Sequence, residues 1–312
     1  MANNINWGKI YESTAWGSGV TNNNINWGKI YVDDAGGGGA AALLDTYSGA
    51  LVGYSLRKLK SDYAGSAIQV TPDGSNFTDI GFDGNGELDT ASLPSDSDLY
   101  VSKWYNQEGT ATHDMTNTTF STMPVIKSGG SVITVNSKPS VSFATGRTLN
   151  MGNNTANKVA VPNKTLTQLM VTNIGDAVNA REYMMVGTSS SQGQWQFWNA
   201  SFGQSMELKS GGQSFGFQYG GFNVDLMNPN IFIVSHGDTG GNVKFYQNAE
   251  NPKTSSTTVN GTGTHELWYF GLTVGSHTSN AKTSEYVLWD ADYDSDVSDI
   301  NTAVNDFYGT YT

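Results

Sequence analysis

Two acidic runs hold the residues best suited to bind a metal ion. DADYDSDVSD begins with Asp290, Asp292 and Asp294 at alternate positions, and DGNGELD at Asp83–Asp89 has a similar pattern. Hard oxygen ligands at alternating positions suit Ca²⁺. The first run lacks the glycine and bidentate glutamate of an EF-hand loop, and acidic residues before a helix also stabilise its N-terminus. Calcium and helix stabilisation therefore both remain open for the first run, and calcium or a simple turn for the second.

Other catalytic or nucleotide chemistry is not favoured by the sequence. Its four histidines have no paired metal spacing, it has no cysteine and no GxSxG elbow, and GGGG at 36–39 lacks the Lys-Ser/Thr of a phosphate loop. The net charge of −12 argues against nucleic acid as a partner. No apolar run of membrane-spanning length is present, so we expect no membrane partner and no cofactor beyond the possible Ca²⁺.

Aromatic residues next to amide side chains form a candidate carbohydrate site. QWQFWN contains Trp195 and Trp198, and SFGFQYGG contains Tyr219. Sugars bind to aromatic faces beside Asn, Asp and Gln hydrogen-bonding groups. Because successive residues of a strand point to opposite faces, part of this cluster is expected in the core instead.

The elements that must position these residues are mainly strands. Charged residues are only 14% of the chain and glycine is abundant, a composition typical of turn-rich β proteins. Short runs rich in Val, Ile, Phe, Tyr and Thr predict an antiparallel sandwich. They are AIQVT, LYVSKWY, SVITV, PSVSF, QLMVTNI, YMMVGT, QWQFW, MELKS, IFIVSH, VKFYQN, ELWYFGLTV and EYVLW.

Two helices are expected among these strands. LLDTYSGALVGYSLRKLKSDY at Leu43–Tyr63 has a roughly helical apolar spacing and predicts the longest helix, with RKLK on its polar face. The C-terminal SDVSDINTAVNDFYGTY predicts a shorter helix that Asp296 or Ser298 would cap. Its packing residues would be Ile300, Val304 and Phe307, and Gly309 would end it.

Residues 43–151 resemble the arabinofuranosidase-B catalytic-domain family. The blocks that carry the resemblance occur in the family's order: LLDTYSGALVGYSLRKLKSDYAGSAIQV, TDIGFDGNGELDTASL, VSKWYNQEGT and MPVIKSGGSVITVNSKPSVSF. From 152 to 312 the resemblance is only to the general jelly-roll pattern. The resemblance to this family implies a concanavalin-like jelly-roll β-sandwich with a few short helices. Many phage structural and tail proteins carry the same module.

The resemblance also implies a pair of catalytic carboxyl groups, one a strand glutamate and one an aspartate in a late Gly-Gly-Asp loop. A retaining glycosidase needs the two roughly 5 Å apart. Glu207 in SMELKS is the candidate nucleophile, but the late loop GLTVGSHTSN has Ser276 and His277 where the aspartate is expected. The family block WYDQSG reads WYNQEG here, with Asn106 in place of Asp. We therefore expect the fold to persist without hydrolase chemistry.

The first 38 residues contain an exact repeat. NNINWGKIY occurs at Asn3–Tyr11 and again at Asn23–Tyr31, and DDAGGGGAAA follows as a hinge. Two identical segments suit two identical docking grooves, and a flexible spacer would add affinity through effective concentration. The expected contact residues are Ile5, Trp7, Ile10, Tyr11, Ile25, Trp27, Ile30 and Tyr31. A duplication without function is the alternative.

These observations favour a structural protein of a tailed-bacteriophage virion, assembled in the host cytoplasm as a capsid decoration, fibre or tail-associated protein. An extended arm, residues 1–38, would dock on other virion proteins, and the jelly-roll body, residues 39–312, would face outward and be able to bind a host-surface glycan. Repeated grooves occur on symmetric assemblies, so a homo-oligomer is expected. The alternatives are a glycoside hydrolase acting on arabinose-containing polysaccharide and a free lectin.

Overall fold

The computed structural model describes residues 42–144, 146–151, 159–161, 165–173, 181–185, 194–200, 203–210, 213–217, 228–237, 241–258, 265–267, 269–271 and 280–311. For the strands within 181–217 the description is of backbone pairing. The whole arm, residues 1–38, lies outside these ranges, so its boundary and its docking role stay predictions.

Twenty-three strands and two α-helices make up the described chain. The first twelve strands are β1 Ala50–Ser55, β2 Ile68–Thr71, β3 Thr78–Ile80, β4 Leu99–Trp104, β5 Met115–Thr116, β6 Val125–Ser128, β7 Ser131–Val132, β8 Thr134–Val135, β9 Lys138–Pro139, β10 Val141–Ala144, β11 Thr148–Asn150 and β12 Val159–Val161. The others are β13 Leu166–Asn173, β14 Arg181–Met185, β15 Gln194–Ala200, β16 Gly203–Ser210, β17 Gln213–Phe217, β18 Asn230–His236, β19 Asn242–Gln247, β20 Lys253–Thr258, β21 His265–Leu267, β22 Tyr269–Gly271 and β23 Asn280–Trp289. The helices are α1 Leu43–Thr46 and α2 Val297–Tyr308.

Strand pairing is antiparallel throughout the described sheets. The main sheet runs in the order β20-β19-β18-β13-β23-β10-β6-β4-β5-β11-β22, and β1, β2, β3 and β7 attach at its sides. A second sheet has the order β14-β15-β16-β17. Its edge strands lie alongside the two end strands of the main sheet, β17 by β20 and β14 by β22. The second sheet therefore bridges the two ends of the first, and the predicted all-β sandwich with few short helices is confirmed.

The central strand β23 organises the main sheet. One of its edges pairs with β13 along most of its length. The other edge is shared, because β10 pairs with its first residues and β1 with its last. Residues far apart in the chain thus meet on β23, and two separate apolar clusters cover its two faces.

Burial on both faces explains why β23 has apolar residues at consecutive positions of the sequence. Tyr286 and Leu288 of β23 belong to the inner cluster, whereas Val287 and Trp289 belong to the cluster under α1 and α2. A strand buried on both sides needs apolar residues at consecutive positions and loses the alternation of a half-exposed strand. Each strand-like run named from the sequence coincides with at least one strand.

The long helix predicted over Leu43–Tyr63 is wrong. Only Leu43–Thr46 is helical, and Ala50–Ser55 forms strand β1 instead. The apolar spacing came from a strand with both faces buried, not from a helix face. Gly53 fixes this packing, because a Cβ there would lie 3.0 Å from the side chains of Leu44 and Leu59.

The predicted C-terminal helix is confirmed as α2. Ile300 and Val304 are buried, Phe307 packs at the edge of their cluster, and Gly309 follows the last turn with a φ of 58°. Helices commonly end with a residue in the left-handed backbone conformation, and glycine adopts this conformation without a steric penalty. Asp296 occupies the N-cap position, but its side chain accepts no hydrogen bond from a backbone N–H of the first turn, so the expected capping bond is absent there.

Candidate functional site

The WYNQEG loop contains Asn106, one of the two positions at which it differs from the block WYDQSG, and Asn106 holds the loop in place. Asn106 is 3% exposed, and its Oδ1 accepts hydrogen bonds from the backbone N–H of Gly53 at 2.9 Å and of Glu108 at 3.2 Å. Gln107, equally buried, accepts from Leu59 N–H with Oε1. Position 106 therefore fastens the loop to β1, and a change of Asp to Asn there leaves these two acceptor bonds possible.

A buried ion pair sits on the central strand. Glu285 of β23 is fully buried, and its carboxylate accepts from Arg57 Nε at 2.7 Å and Nη2 at 2.9 Å. Ser55 and Tyr308 also donate hydroxyl hydrogen bonds to it. Burial alone would lower the pKa of Arg57, but the charge and hydrogen bonds of Glu285 outweigh that effect and raise it. This contradicts the placement of RKLK on a solvated helix face, since Arg57 is in the interior.

Glu207 is one of several glutamates on strands. Glu182, Glu266 and Glu285 lie on strands as well. Glu285 is the first residue of the predicted strand EYVLW, but the sequence of that strand does not indicate that Arg57 is its partner. Because Arg57, Ser55 and Tyr308 occupy its carboxylate, Glu285 anchors the fold and is not a free nucleophile.

Glu207 lies in the middle of the second sheet. Its register partners are Gln196 on β15 and Gly216 on β17. Partners directly across an antiparallel pair share a face of the sheet. The catalytic role predicted for Glu207 stays a prediction, because the late loop with Ser276 and His277 lies outside the described residues.

The register of the second sheet separates the two candidate sugar-binding tryptophans. Trp195 and Trp198 are three residues apart on one strand, so they lie on opposite faces. Trp195 is paired with Met184 and Leu208, whereas Trp198 is paired with Arg181 and Ser205. The two cannot form one aromatic platform, and Tyr219 lies outside the described residues.

The two faces of this sheet differ in composition. The face of Trp195 is mainly apolar and comprises Glu182, Met184, Trp195, Phe197, Asn199, Gln204, Met206, Leu208, Ser210, Gln213, Phe215 and Phe217. The face of Trp198 is mainly polar and comprises Arg181, Tyr183, Met185, Gln194, Gln196, Trp198, Ala200, Gly203, Ser205, Glu207, Lys209, Ser214 and Gly216. We call the second the Trp198 face.

In the acidic run at Asp290–Asp299, the carboxylates of Asp292 and Asp294 are bonded to other residues of the chain. Asp292 accepts from Ser235 Oγ at 2.6 Å and from the N–H of Asp294 at 3.0 Å. Asp294 in turn pairs with Lys244 and accepts from Tyr246 OH. These contacts fasten the start of α2 to β18 and β19.

The second acidic run forms a turn. Asp83 Oδ1 accepts the N–H of Asn85 and of Glu87, each at 2.9 Å, and Glu87 pairs with Lys138. Within the described ranges no three His, Cys, Asp or Glu side chains come together as a metal site. Calcium binding at Asp290, Asp292 and Asp294 stays a prediction. In the same ranges no helix is long and apolar enough to cross a bilayer.

A buried carboxyl group that the sequence did not indicate, that of Asp114, lies next to the WYNQEG loop. Asp114 accepts the N–H of Asn106 at 2.9 Å, and Lys103 Nζ lies 4.0 Å from its Oδ2. Burial raises the pKa of Asp114, against the lowering effects of the Asn106 hydrogen bond and of Lys103. Burial and then the charge of Asp114 raise the pKa of Tyr63 to about 12. Perturbed carboxyl groups of this kind occur at binding and catalytic sites.

Comparison with known proteins gives no family for the chain. No family model matches, and no curated protein matches. Among solved structures, a Trypanosoma rangeli sialidase in complex with sialic acid gives a TM-score of 0.42 at 12% identity, covering 67% of this chain and 32% of that one. The receptor-binding domain of botulinum neurotoxin D gives 0.36 at 11% identity, covering 58% and 50%. The chain thus spans less than two thirds of either protein.

Similarities of this size assign neither a family nor an activity. The sandwich architecture stands on the strand pairing described above. The resemblance to the arabinofuranosidase-B family stays a prediction that rests on the four sequence blocks.

Proposed function

We propose that the chain is a structural component of a tailed-phage virion, with an arm that docks on the particle and a β-sandwich body that binds a glycan on the Trp198 face. The observation that carries the glycan part is the strand register. It puts Trp198 and Tyr183 on the same face of the sheet as Gln196 and Glu207.

The composition of that face suits a sugar better than a protein core. Aromatic rings offer flat surfaces for the apolar faces of sugars, and amide and carboxylate groups bind their hydroxyls. The opposite face, with Trp195, Phe197, Leu208 and Phe215, has the composition of the buried side of a sandwich sheet.

The docking part of the proposal rests on the repeated NNINWGKIY. Each copy alternates apolar and polar residues and can add as a strand to an exposed sheet edge of a neighbouring subunit. The eleven residues between the copies reach at most about 35–40 Å when extended. Two equivalent grooves within that distance are available on a symmetric lattice, where the same surface recurs.

Glycan binding is tested with the full-length chain. Calorimetric titration with the best ligand from a glycan array should show binding that is reduced about tenfold or more in Trp198→Ala. Gln204→Ala, which lies on the opposite face of the same sheet, is the matched control and should bind as the wild type does. Equal affinity in Trp198→Ala and wild type would remove the Trp198 face from the proposal.

Particle docking is tested separately. Mass spectrometry of purified particles should find the chain, and the double variant Trp7→Ala/Trp27→Ala should be lost from particles while the body stays folded. Normal incorporation of that variant would overturn the docking role. Release of product from a chromogenic arabinofuranoside by the wild type, abolished by Glu207→Gln, would instead establish the hydrolase alternative.

A further inference from the structure

A second surface, on the outward side of strand β4, combines partly exposed aromatic rings with hydrogen-bonding side chains. We call it the β4 strip and define it as Gln69, Asp79, Tyr100, Lys103, Tyr105 and Phe120. Asp79 and Phe120 are exposed and the other four residues are partly exposed, whereas the neighbouring Val101 and Trp104 are fully buried in the inner cluster. The strip is on a different sheet from the Trp198 face.

A β-bulge keeps the strip on one face. Lys103 pairs with Gln69 and Tyr100 pairs with Thr71, with the register shift between Gln69 and Val70. The extra residue, Ser102, is absorbed in the bulge and donates its hydroxyl to Gln69. Without this shift Tyr100 and Lys103, three residues apart, would lie on opposite faces.

The upper end of the strip is an ordered hydrogen-bonding group. Tyr105 OH donates to Asp79 Oδ1 at 2.7 Å, and Gln69 Nε2 donates to the same oxygen at 3.0 Å. Lys103 Nζ lies 4.9 Å from the centre of the Tyr105 ring. One carboxylate, one amide, one ammonium and one phenol ring therefore meet at the surface in fixed positions.

The lower end is an exposed aromatic pair held in place. Phe120 is 37% exposed and meets the Tyr100 ring edge to face, with centroids 4.7 Å apart. Gly74 backs Phe120 closely: a Cβ there would lie 2.9 Å from Phe120 Cβ, and its φ of 77° also favours glycine. The guanidinium of Arg147 lies over the Tyr100 ring, with its Cζ 5.2 Å from the ring centroid. An exposed phenylalanine fixed in this way is preorganised to meet a ligand.

The charges of the strip point to an uncharged ligand. Lys103 pairs with Asp114, and Arg147 donates to the carbonyl of Met123 while it stacks on Tyr100. The whole chain carries a net charge of −12, which disfavours polyanions. Hydroxyl-rich rings match both the hydrogen-bonding end and the aromatic end.

We propose that the β4 strip is a second glycan-binding surface that takes a neutral oligosaccharide lying along β4 from Tyr105 to Phe120. The two ends are about 15 Å apart, because Tyr100 and Tyr105 are separated by five steps of about 3.3 Å along an extended chain and the bulge shortens that path slightly. That length requires an oligosaccharide and leaves most of the strip unfilled by a monosaccharide. The proposal goes beyond the glycan site on the Trp198 face and does not depend on it.

The test titrates the full-length chain with linear neutral oligosaccharides of one to six sugar residues, and with a sialylated oligosaccharide for comparison. Affinity should rise with length until the ligand spans about 15 Å, and the sialylated ligand should bind more weakly. Tyr105→Ala and Phe120→Ala should each reduce affinity about tenfold. Tyr105→Phe keeps the ring but not the bond to Asp79, and should lose less than Tyr105→Ala.

The outcomes separate this surface from the Trp198 face. Loss of affinity in Phe120→Ala and Tyr105→Ala with unchanged thermal midpoints supports the strip, whatever Trp198→Ala does. Loss only in Trp198→Ala overturns the strip and leaves the proposed function standing. Equal affinity for mono- and oligosaccharides, or no binding by the wild type, also overturns it.

Discussion

Arg57 and Glu285 are joined by two hydrogen bonds, 2.7 and 2.9 Å long, buried on the face of the main sheet that α2 covers. The rings of Phe307 and Tyr308 cover the guanidinium at 5.0 and 5.5 Å. The pair thus connects the residues after β1, the central strand β23 and the end of α2. It holds the helix layer against the main sheet.

Breaking this pair from one side should be costly. Arg57→Met leaves the Glu285 carboxylate buried without its cation, so we expect a loss of about 3–5 kcal/mol in the free energy of unfolding. Urea denaturation monitored by circular dichroism measures it. Lys60→Met, which breaks the more exposed pair with Glu108, is the control and should cost at most about 1 kcal/mol. Equal losses of unfolding free energy in the two variants would mean that the buried pair contributes no more to stability than the more exposed pair.

The buried amide of Asn106 gives a second stability prediction. Asn106→Ala leaves the N–H groups of Gly53 and Glu108 without their acceptor, at about 1–3 kcal/mol each, so the total loss should be about 2–6 kcal/mol. Asn85→Ala, in an exposed turn, should stay within about 0.5 kcal/mol of wild type. A small effect at position 106 would show that the WYNQEG loop is held by other contacts.

A glycine substitution in the turn between β8 and β9 should stabilise the protein. Asn136 and Ser137 both have positive φ, 49° and 65°, and the left-handed conformation costs an ordinary residue about 1 kcal/mol or more. Ser137→Gly should therefore raise the free energy of unfolding by up to about 1 kcal/mol. Ser131→Gly, in strand β7, should lower it by about 0.5–1 kcal/mol. A destabilising Ser137→Gly would contradict the argument.

The pKa values of two aspartates should be shifted in opposite directions from the ordinary aspartate value. Burial raises the pKa of Asp114, whereas hydrogen bonds from Asn76 and Ser75 lower the pKa of Asp73 to about 2. Asp114 therefore favours folding below its ordinary pKa and loses that contribution as pH rises through its raised value. Asp73 contributes above its ordinary pKa and loses that contribution as pH falls towards 2.

Carboxyl NMR titration of the wild type measures both pKa values directly. Asp114→Asn should flatten the pH dependence of stability above the ordinary aspartate pKa, and Asp73→Asn should flatten it below. Ordinary pKa values for both groups would contradict the effects of burial and hydrogen bonding.

Local signals explain what the sequence could predict. Helix α2 was predictable because its apolar spacing and Gly309 lie within one segment, and most strands were predictable from β-rich runs between turn residues. Strand β1 was misread because burial on both faces removes the period of two. The ion pair was missed because Arg57 and Glu285 are 228 residues apart and meet only through β23. The separation of Trp195 from Trp198, in contrast, follows from their odd spacing as soon as the strand is known.

That separation yields the last prediction, a contrast in stability between the two tryptophans. If the Trp195 face packs inward as its apolar composition indicates, Trp195→Ala should cost about 3–5 kcal/mol, because it would leave a cavity. Trp198→Ala, on the polar face, should cost about 1 kcal/mol or less while it reduces glycan affinity. Urea denaturation and calorimetric titration of the same two variants measure both effects. The opposite ranking in stability would mean that the second sheet packs with its Trp198 face inward, and the glycan site would then have to lie elsewhere.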